Sequence, residues 1–418
     1  MTYPVRAIDT GEYPAFHSVA EIAFHSSLPA ADSIRHELLT FEPGRSLAAF
    51  DGPAIVGTAC SYSFLLTVPG AAVPAAGVSA VSVLPSHRRR GILTALMRRQ
   101  LDDVRERGEA LAVLFASEAG IYRRFGYGAA AQAATFTIGR REGTLIAGAP
   151  ADPALRLRIT GPQDARPALA KVYDQVLPTR PGLFARDDRW WDSVLDDPES
   201  ARRGATALRC VIAEDAAGPR GYALMAARPN WDSDGLPDTS LMVGELMAAD
   251  PAATAALWAD LLTRDLTGRV QARLRPADDP LLHLLADPRR ARPQVSDGMW
   301  ARLVETGAAL SQRRYAAPVD VVIEVADEFG PWNAGRWRLT VPPAPPGPVP
   351  GLAGECERTS ATADITLPAD ALGAAYLGGA GLAPFAAAGL AAEARPGALA
   401  ALSAALRWDP APWCPVIF

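Results

Sequence analysis

At 418 residues, with 49% hydrophobic and 21% charged residues and a net charge of −5, the chain is long enough for two or three domains. It is too acidic for a nucleic-acid partner, and its charge suits a small cationic one. There is no run of about 18 uncharged apolar residues, and the start, Met1-Thr2-Tyr3-Pro4-Val5-Arg6-Ala7, has no basic end leading into an apolar core; no membrane span and no signal peptide are expected, and the expected compartment is the cytoplasm.

From Glu12 to Leu39 the apolar residues Ile22, Phe24 and Leu28, then Ile34, Leu38 and Leu39, recur at helix-like spacing, with a break at Pro29. Arg45 to Thr67 reads as a hairpin: Ser46–Phe50, a turn at Asp51-Gly52-Pro53, then Ile55–Ala59. Next comes an apolar strand, Val78–Leu84, closed by Pro85, and the basic turn Ser86-His87-Arg88-Arg89-Arg90-Gly91. In Ile92–Leu101, Leu93, Leu96, Met97 and Leu101 share one helical face. A helix N-terminus carries unpaired N–H groups and about half a positive charge. Gly91 lets the backbone approach an anion, and Arg88, Arg89 and Arg90 add planar, permanently charged forks. A second buried strand, Leu111–Ala116, runs into Ser117-Glu118-Ala119-Gly120-Ile121-Tyr122-Arg123-Arg124-Phe125-Gly126-Tyr127. Such a layout grips a pyrophosphate and presents one tyrosine, which points to a coenzyme A enzyme.

A Gly-, Ala- and Pro-rich connector, Gly143–Pro153, marks a first boundary. The middle segment then echoes the first: Val211–Glu214, a turn at Ala217–Arg220, Gly221–Ala226, and Val243–Ala249 where the cofactor strand stood. The helix that follows has Asp250 at its cap and Pro251 at its first position, with neither arginines nor glycine, and Asp250 repels phosphate. The third segment, from near Pro293, holds alternating strands at Val319–Val325, Gly335–Val341 and Ala363–Leu367. A proline-rich loop, Pro342–Pro348, separates the last two, and helices are expected over Asp370–Tyr376 and Pro396–Leu406. The chain closes on Trp413-Cys414-Pro415-Val416-Ile417-Phe418, apolar and proline-stiffened.

Cys60, Cys210, Cys356 and Cys414 form no Cys-x-x-Cys pair, and five histidines (His17, His25, His36, His87, His283) offer no His-x-x-x-His spacing. Neither a disulfide framework nor a metal site is expected.

Arg88-Arg89-Arg90-Gly91-Ile92-Leu93 resembles the acetyl-CoA loop of the GCN5-related N-acetyltransferases, with Leu93 where the general motif has Gly or Ala. Tyr122-Arg123-Arg124-Phe125-Gly126-Tyr127 resembles that superfamily's Tyr-x-x-x-Gly-Phe element, and the longer string is similar to its enhanced-intracellular-survival (Eis) branch. The resemblance implies a mixed α/β chain of two tandem acetyltransferase-like domains, the second degenerate, and a sterol-carrier-like C-terminal domain, over residues 1–148, 149–292 and 293–418. It implies acetyl-CoA as cosubstrate and no metal. The cofactor would be held by Val81, Ser82 and Val83 on a bulged, splayed strand, by Arg88 to Leu93 and Thr94, and by Ser117 and Glu118.

Tyr122 is implied as the general acid toward the departing thiolate, and Tyr127 as core packing. Phe24, His25 and His36 are implied to wall the acceptor site. The terminal carboxylate of Phe418 is implied to take the amine proton, delivered there by the third domain. The expected activity is acetyl transfer to a primary amine of an aminoglycoside or polyamine type, by a homo-oligomer, a hexamer in the family. The alternatives are an amino acid or natural-product amine as acceptor, or a non-catalytic acyl-CoA or lipid-binding regulator.

Overall fold

The computed structural model describes residues 3–26, 31–343 and 351–418. Leu28 and Pro29, where the first helical pattern was expected to break, and residues 344–348 of the proline-rich loop lie outside them. Two compact units divide the chain. One comprises Met1–Ala131, Gly298–Pro412 and Ile417–Phe418, the other Gln132–Asp297 and Trp413–Val416.

In the first unit, strands β1 (Val5–Ala7), β2 (Ser46–Asp51), β3 (Ala54–Val68), β4 (Ala71–Val83), β5 (Leu111–Phe115) and β6 (Gly128–Ala129) build a mixed sheet with Met299–Leu303. The strand Met299–Leu303 lies between β5 and β6, antiparallel to both. Helices α1 (Tyr13–Ala23), α2 (Ala31–Leu38), α3 (Ile92–Glu106) and α4 (Ala119–Tyr122) accompany it. The inner face of α3 is Ile92, Leu96, Met97, Leu101 and Val104, each no more than 2% exposed, so its anchoring is hydrophobic along one stripe.

The C-terminal part of this unit is a second sheet, ordered Glu355–Arg358, Gly335–Val341, Val319–Ala326, Ile365–Pro368 and Ala392–Glu393. Two buried arginines tie it together. Arg313 donates to the carbonyl oxygens of Tyr376 and Leu406, the last residues of helices Ala369–Tyr376 and Ala398–Leu406, where the helix dipole favours a cation. Desolvation still pushes its pKa down, to about 10. Arg302 donates to Asp327 Oδ2 at 2.8 Å and to the Phe125 carbonyl.

The second unit is a sheet ordered Gln294–Asp297, Gln132–Gly139, Thr267–Pro276, Thr239–Ala248, Gly218–Arg228, Arg209–Asp215 and Arg156–Thr160. Helices Pro162–Val176 and Asp188–Leu195 share one core with its strands, and helix Pro251–Thr263 shares the other. The two sheets therefore do not follow the expected boundaries at 148 and 292. Gln132–Gly139 completes the second sheet and Met299–Leu303 the first. The physical reason is pairing: Gln132–Gly139, expected in the first domain, has its ladder partner Thr267–Pro276 in the middle one, and Met299–Leu303, expected in the third, has its partners β5 and β6 in the first. Among the described residues no helix is long and apolar enough to cross a membrane.

Candidate active site

β4 runs parallel to β5 only from Ala75↔Leu111 to Val78↔Leu114, and beyond Val78 the two strands part. In the same place the ladder to β3 slips: Cys60 faces Ser79 and Thr58 faces Ser82, leaving Ala80 and Val81 opposite Ala59. Ala80 takes φ +48°, a conformation a non-glycine residue holds only when its surroundings fix it. Thr58 supplies that constraint, donating from Oγ1 to the Ala80 carbonyl at 2.6 Å, so the Ser82 hydroxyl, 2.6 Å away, donates to Thr58. The Ser82 hydroxyl proton is thus committed to Thr58, and the bulge frees main-chain donors from the ladder.

The basic turn ends in two left-handed residues, Arg89 at φ +63° and Gly91 at φ +80°. Gly91 is the N-cap of α3, and no side chain caps the helix there. A Cβ on Gly91 would meet nothing within 4 Å, so the glycine serves backbone conformation and leaves open space in front of the helix N–H groups. This is an anion site built of main-chain donors.

These features face one cavity of about 580 Å³, lined by Val81, Ser82, Val83, Arg88, Arg89, Gly91, Ile92, Leu93, Thr94, Ser117, Glu118 and Tyr122. Phe24 and His25 line it as well. Three expected residues do not. Arg90 turns to Tyr3, donating to its hydroxyl at 2.9 Å. His36 sits half-buried on α2, away from the lining. Phe418 packs its ring on Phe64 and Phe115, centroids 4.8 and 5.4 Å away, two residues before Ser117 on the chain.

Sequence reasoning missed Ala23, His87, Ile121 and Arg124, which also line the cavity. Arg98 and Arg99 line an adjoining cleft that shares Gly91 and Thr94 with it. The helical period placed both arginines on the outer face of α3, and that signal could have found them. His87 bonds Asp51 through Nε2 at 3.2 Å and Ser86 through Nδ1 at 2.9 Å, which pins the turn to the β2–β3 hairpin.

Tyr122 is 5% exposed, and burial pushes its phenol up to about 12, a rise that hydrogen bonding with Ser117 opposes. It is therefore a permanent proton donor near neutrality. The segment that carries it is held from below. Arg123 pairs with Asp370 at 2.9 Å, and Arg302 reaches the Phe125 carbonyl. Gly126 stands at φ +78°, where a Cβ would lie 1.8 Å from Arg302 Nη1, which explains the glycine of this element. Tyr127 is fully buried, in the core position expected for it.

In the second unit the corresponding helix, Pro251–Thr263, has its N-terminus filled. Asp250 accepts from Ala253 N at 3.0 Å and is held by Arg220 at 2.8 Å. One group of potential metal ligands occurs among the described residues, His17, Glu21 and Glu37. Its Glu37 carboxylate is already engaged, by His17 Nδ1 at 2.8 Å and the Tyr13 hydroxyl at 2.7 Å.

The chain is similar to known proteins over nearly its whole length. Residues 4–130 and 182–303 match models of the acetyltransferase (GNAT) domain, and residues 306–415 match the sterol carrier protein domain. An uncharacterized N-acetyltransferase of Streptomyces avermitilis is 44% identical over 99% of both chains. N-acetyltransferase Eis of Mycobacterium tuberculosis is 35% identical over 78% of this chain and 77% of its own. The crystal structure of Eis1 from Mycobacterium abscessus superposes with a TM-score of 0.81 at 34% identity, covering 99% of this chain and all of that one (100%).

Proposed function

This chain belongs to the GCN5-related N-acetyltransferases, in the branch of N-acetyltransferase Eis, and from that premise we propose that it transfers acetyl from acetyl-CoA to a primary amine of a small cationic molecule, of the aminoglycoside or polyamine type. One observation carries the reading: a single cavity of about 580 Å³ has an uncapped helix N-terminus with Arg88 and Arg89 at one wall and the β4 bulge with Tyr122 at another. The first wall suits a pyrophosphate and the second a thioester. In this reading Val81 to Val83 give backbone N–H groups to the thioester oxygen as it gains charge. The amine nitrogen bonds to the carbonyl carbon, the carbon–sulfur bond breaks, and Tyr122 donates to the sulfur as the thiolate forms.

Phe418 is the proposed base. An α-carboxyl group ordinarily has a pKa of about 3.5, so it does not strip a free ammonium ion efficiently. It accepts the proton as the new C–N bond makes the nitrogen strongly acidic. The packing of the Phe418 ring on Phe64 and on Phe115, which precedes the cavity-lining Ser117 by two residues on the chain, supports this role. Phe24 and His25 are proposed as acceptor wall. The second acetyltransferase domain is proposed to bind no coenzyme, because Asp250 occupies its helix N-terminus. No step is assigned to a metal ion, and a cytoplasmic homo-oligomer, a hexamer by family precedent, completes the reading.

A coenzyme-release assay across a panel of aminoglycosides, polyamines, amino acids and natural-product amines tests it. Turnover confined to amino acids would move the acceptor class. Coenzyme binding without turnover on any amine would favour a regulator instead.

A further inference from the structure

In the first unit α1 and α2 meet at a polar cluster for which neither the fold nor the acetyl transfer accounts. Tyr13, His17 and Glu21 follow one another at four-residue spacing on α1, so their side chains share one face of that helix. Glu37 comes to them from α2. The Tyr13 hydroxyl donates to Glu37 Oε2 at 2.7 Å, and His17 Nδ1 lies 2.8 Å from the same oxygen.

An ionised carboxylate only accepts hydrogen bonds, so the bond to Glu37 puts a proton on Nδ1 and leaves Nε2 of the neutral ring as a bare lone pair. That nitrogen belongs to a side chain 2% exposed and has no hydrogen-bond partner among the described residues. The nearest carboxylate oxygen to it is another acceptor, Glu21 Oε1, 4.0 Å away. Two acceptors this close, one of them buried, need something positive between them. A shared proton would draw such atoms to about 2.8 Å. The observed 4.0 Å is too wide for a hydrogen bond and lies within the span of two metal–ligand bonds of about 2.0–2.2 Å each.

We propose that His17 Nε2 and Glu21 Oε1 bind a divalent transition-metal ion such as Zn²⁺, with Glu37 as the carboxylate that orients the histidine. Imidazole and carboxylate together suit ions of this class, and water completes the shell. In metal sites the ring nitrogen that does not hold the ion donates to a carboxylate or carbonyl, which fixes the tautomer and the ring. Glu37 takes that place, steadied by Tyr13, whose ring stacks on the His17 ring at 6.0 Å between centroids. His17 and Glu21 present the two ligands one turn apart, a His-x-x-x-Glu spacing that a rule confined to His-x-x-x-His passes over. The ion ties α1 to α2 through Glu37 and takes no part in the acetyl transfer, so the proposal stands apart from that reading.

Titration of the tag-free full chain with Zn²⁺ and with Co²⁺ tests this, at about pH 8, where protons compete less for the imidazole. Expected are one saturable site per chain by calorimetry, visible Co²⁺ absorption bands that saturate with it, and a melting temperature that rises with metal concentration. Glu37→Gln should weaken binding by about 10–100-fold, the usual effect of losing an orienting carboxylate. Glu21→Gln and His17→Gln should each weaken it at least tenfold. The Glu21 side chain is 20% exposed, so Glu21→Gln reports on the site even if His17→Gln folds poorly. No saturable binding, or wild-type affinity in Glu21→Gln, overturns the proposal and leaves the acetyl-transfer reading untouched.

Discussion

Arg90 and Tyr3 are joined by a 2.9 Å hydrogen bond that turns Arg90 out of the cavity its neighbours Arg88 and Arg89 line. The three arginines, identical in type and adjacent in sequence, therefore divide their work. Arg88→Ala and Arg89→Ala should each weaken acetyl-CoA binding by about tenfold, the scale of one lost charge-assisted hydrogen bond. Arg90→Ala should change affinity by less than about threefold. Isothermal titration of the three variants ranks them, and Arg90 ranking first would contradict the assignment.

Gly91 makes a second contrast. Its left-handed conformation means that Gly91→Ala carries a strain of about 1–2 kcal/mol, although its Cβ would lie in open space. Gly91→Asp adds a carboxylate in front of the helix N-terminus and should reduce coenzyme affinity at least tenfold beyond the alanine variant. Equal affinities for the two would show that no phosphate sits there.

Tyr122→Phe should lower kcat by about 10²–10⁴-fold while leaving coenzyme affinity near wild type, because only the proton is lost. Tyr127→Phe should be mild, since that hydroxyl is buried in the core. The pH dependence follows from the burial of Tyr122. A phenol raised to about 12 stays protonated where an exposed one ionises near 10, so its donor role should show no alkaline loss in kcat below about pH 11. The linked stability has the same sign. It is fully present below about pH 10 and is lost as pH rises through about 12. A kcat profile that fell with an apparent pKa near 9 would remove Tyr122 as the acid.

One glycine appended after Phe418 should abolish most turnover. It makes the Phe418 carboxylate a neutral amide and moves the charge by about 3.5 Å. The melting temperature should hold, because the ring contacts with Phe64 and Phe115 are unchanged. Comparing C-terminally with N-terminally tagged protein gives the same information, and equal turnover would send the search for the base elsewhere in the first domain.

Arg302→Ala should destabilise the fold by about 3–5 kcal/mol, the usual effect of stranding a buried partner charge, here Asp327. It also frees the Phe125 carbonyl, so turnover should fall further than the folded fraction does. Thermal melts with single-turnover rates measure both.

The sequence was most legible where chemistry is local. The turn from Ser86 to Gly91, helix α3 and the Tyr122 element carry their signals within one stretch, and the pattern 211–263 foretold its hairpin and the Asp250 cap. β4 was read only from Val78, although it starts at Ala71. Its first half, Ala71-Ala72-Val73-Pro74-Ala75-Ala76, has weak strand propensity and a proline, and pairing with Leu65–Val68 on β3 overrides both. The Arg90–Tyr3 bond spans 87 residues and the Arg302–Phe125 bond spans 177; no local pattern encodes either. The exchange of Gln132–Gly139 and Met299–Leu303 was illegible for the same reason, since a strand's sequence states which face is apolar and not which sheet will receive it.

That exchange also sets the order of events during synthesis. A ribosome that has just made Ala131 has translated nearly every residue of the domain that holds the cavity, yet the slot between β5 and β6 stays vacant until Leu303 is made, about 170 residues later. At about 5–20 residues per second the wait is on the order of 10–30 s. Throughout it, β5 and β6 present bare edges, the kind of surface that recruits wrong partners. The catalytic domain is thus among the first parts translated and among the last to close, and its yield in the cell should track chaperone capacity and elongation speed more than its own final stability.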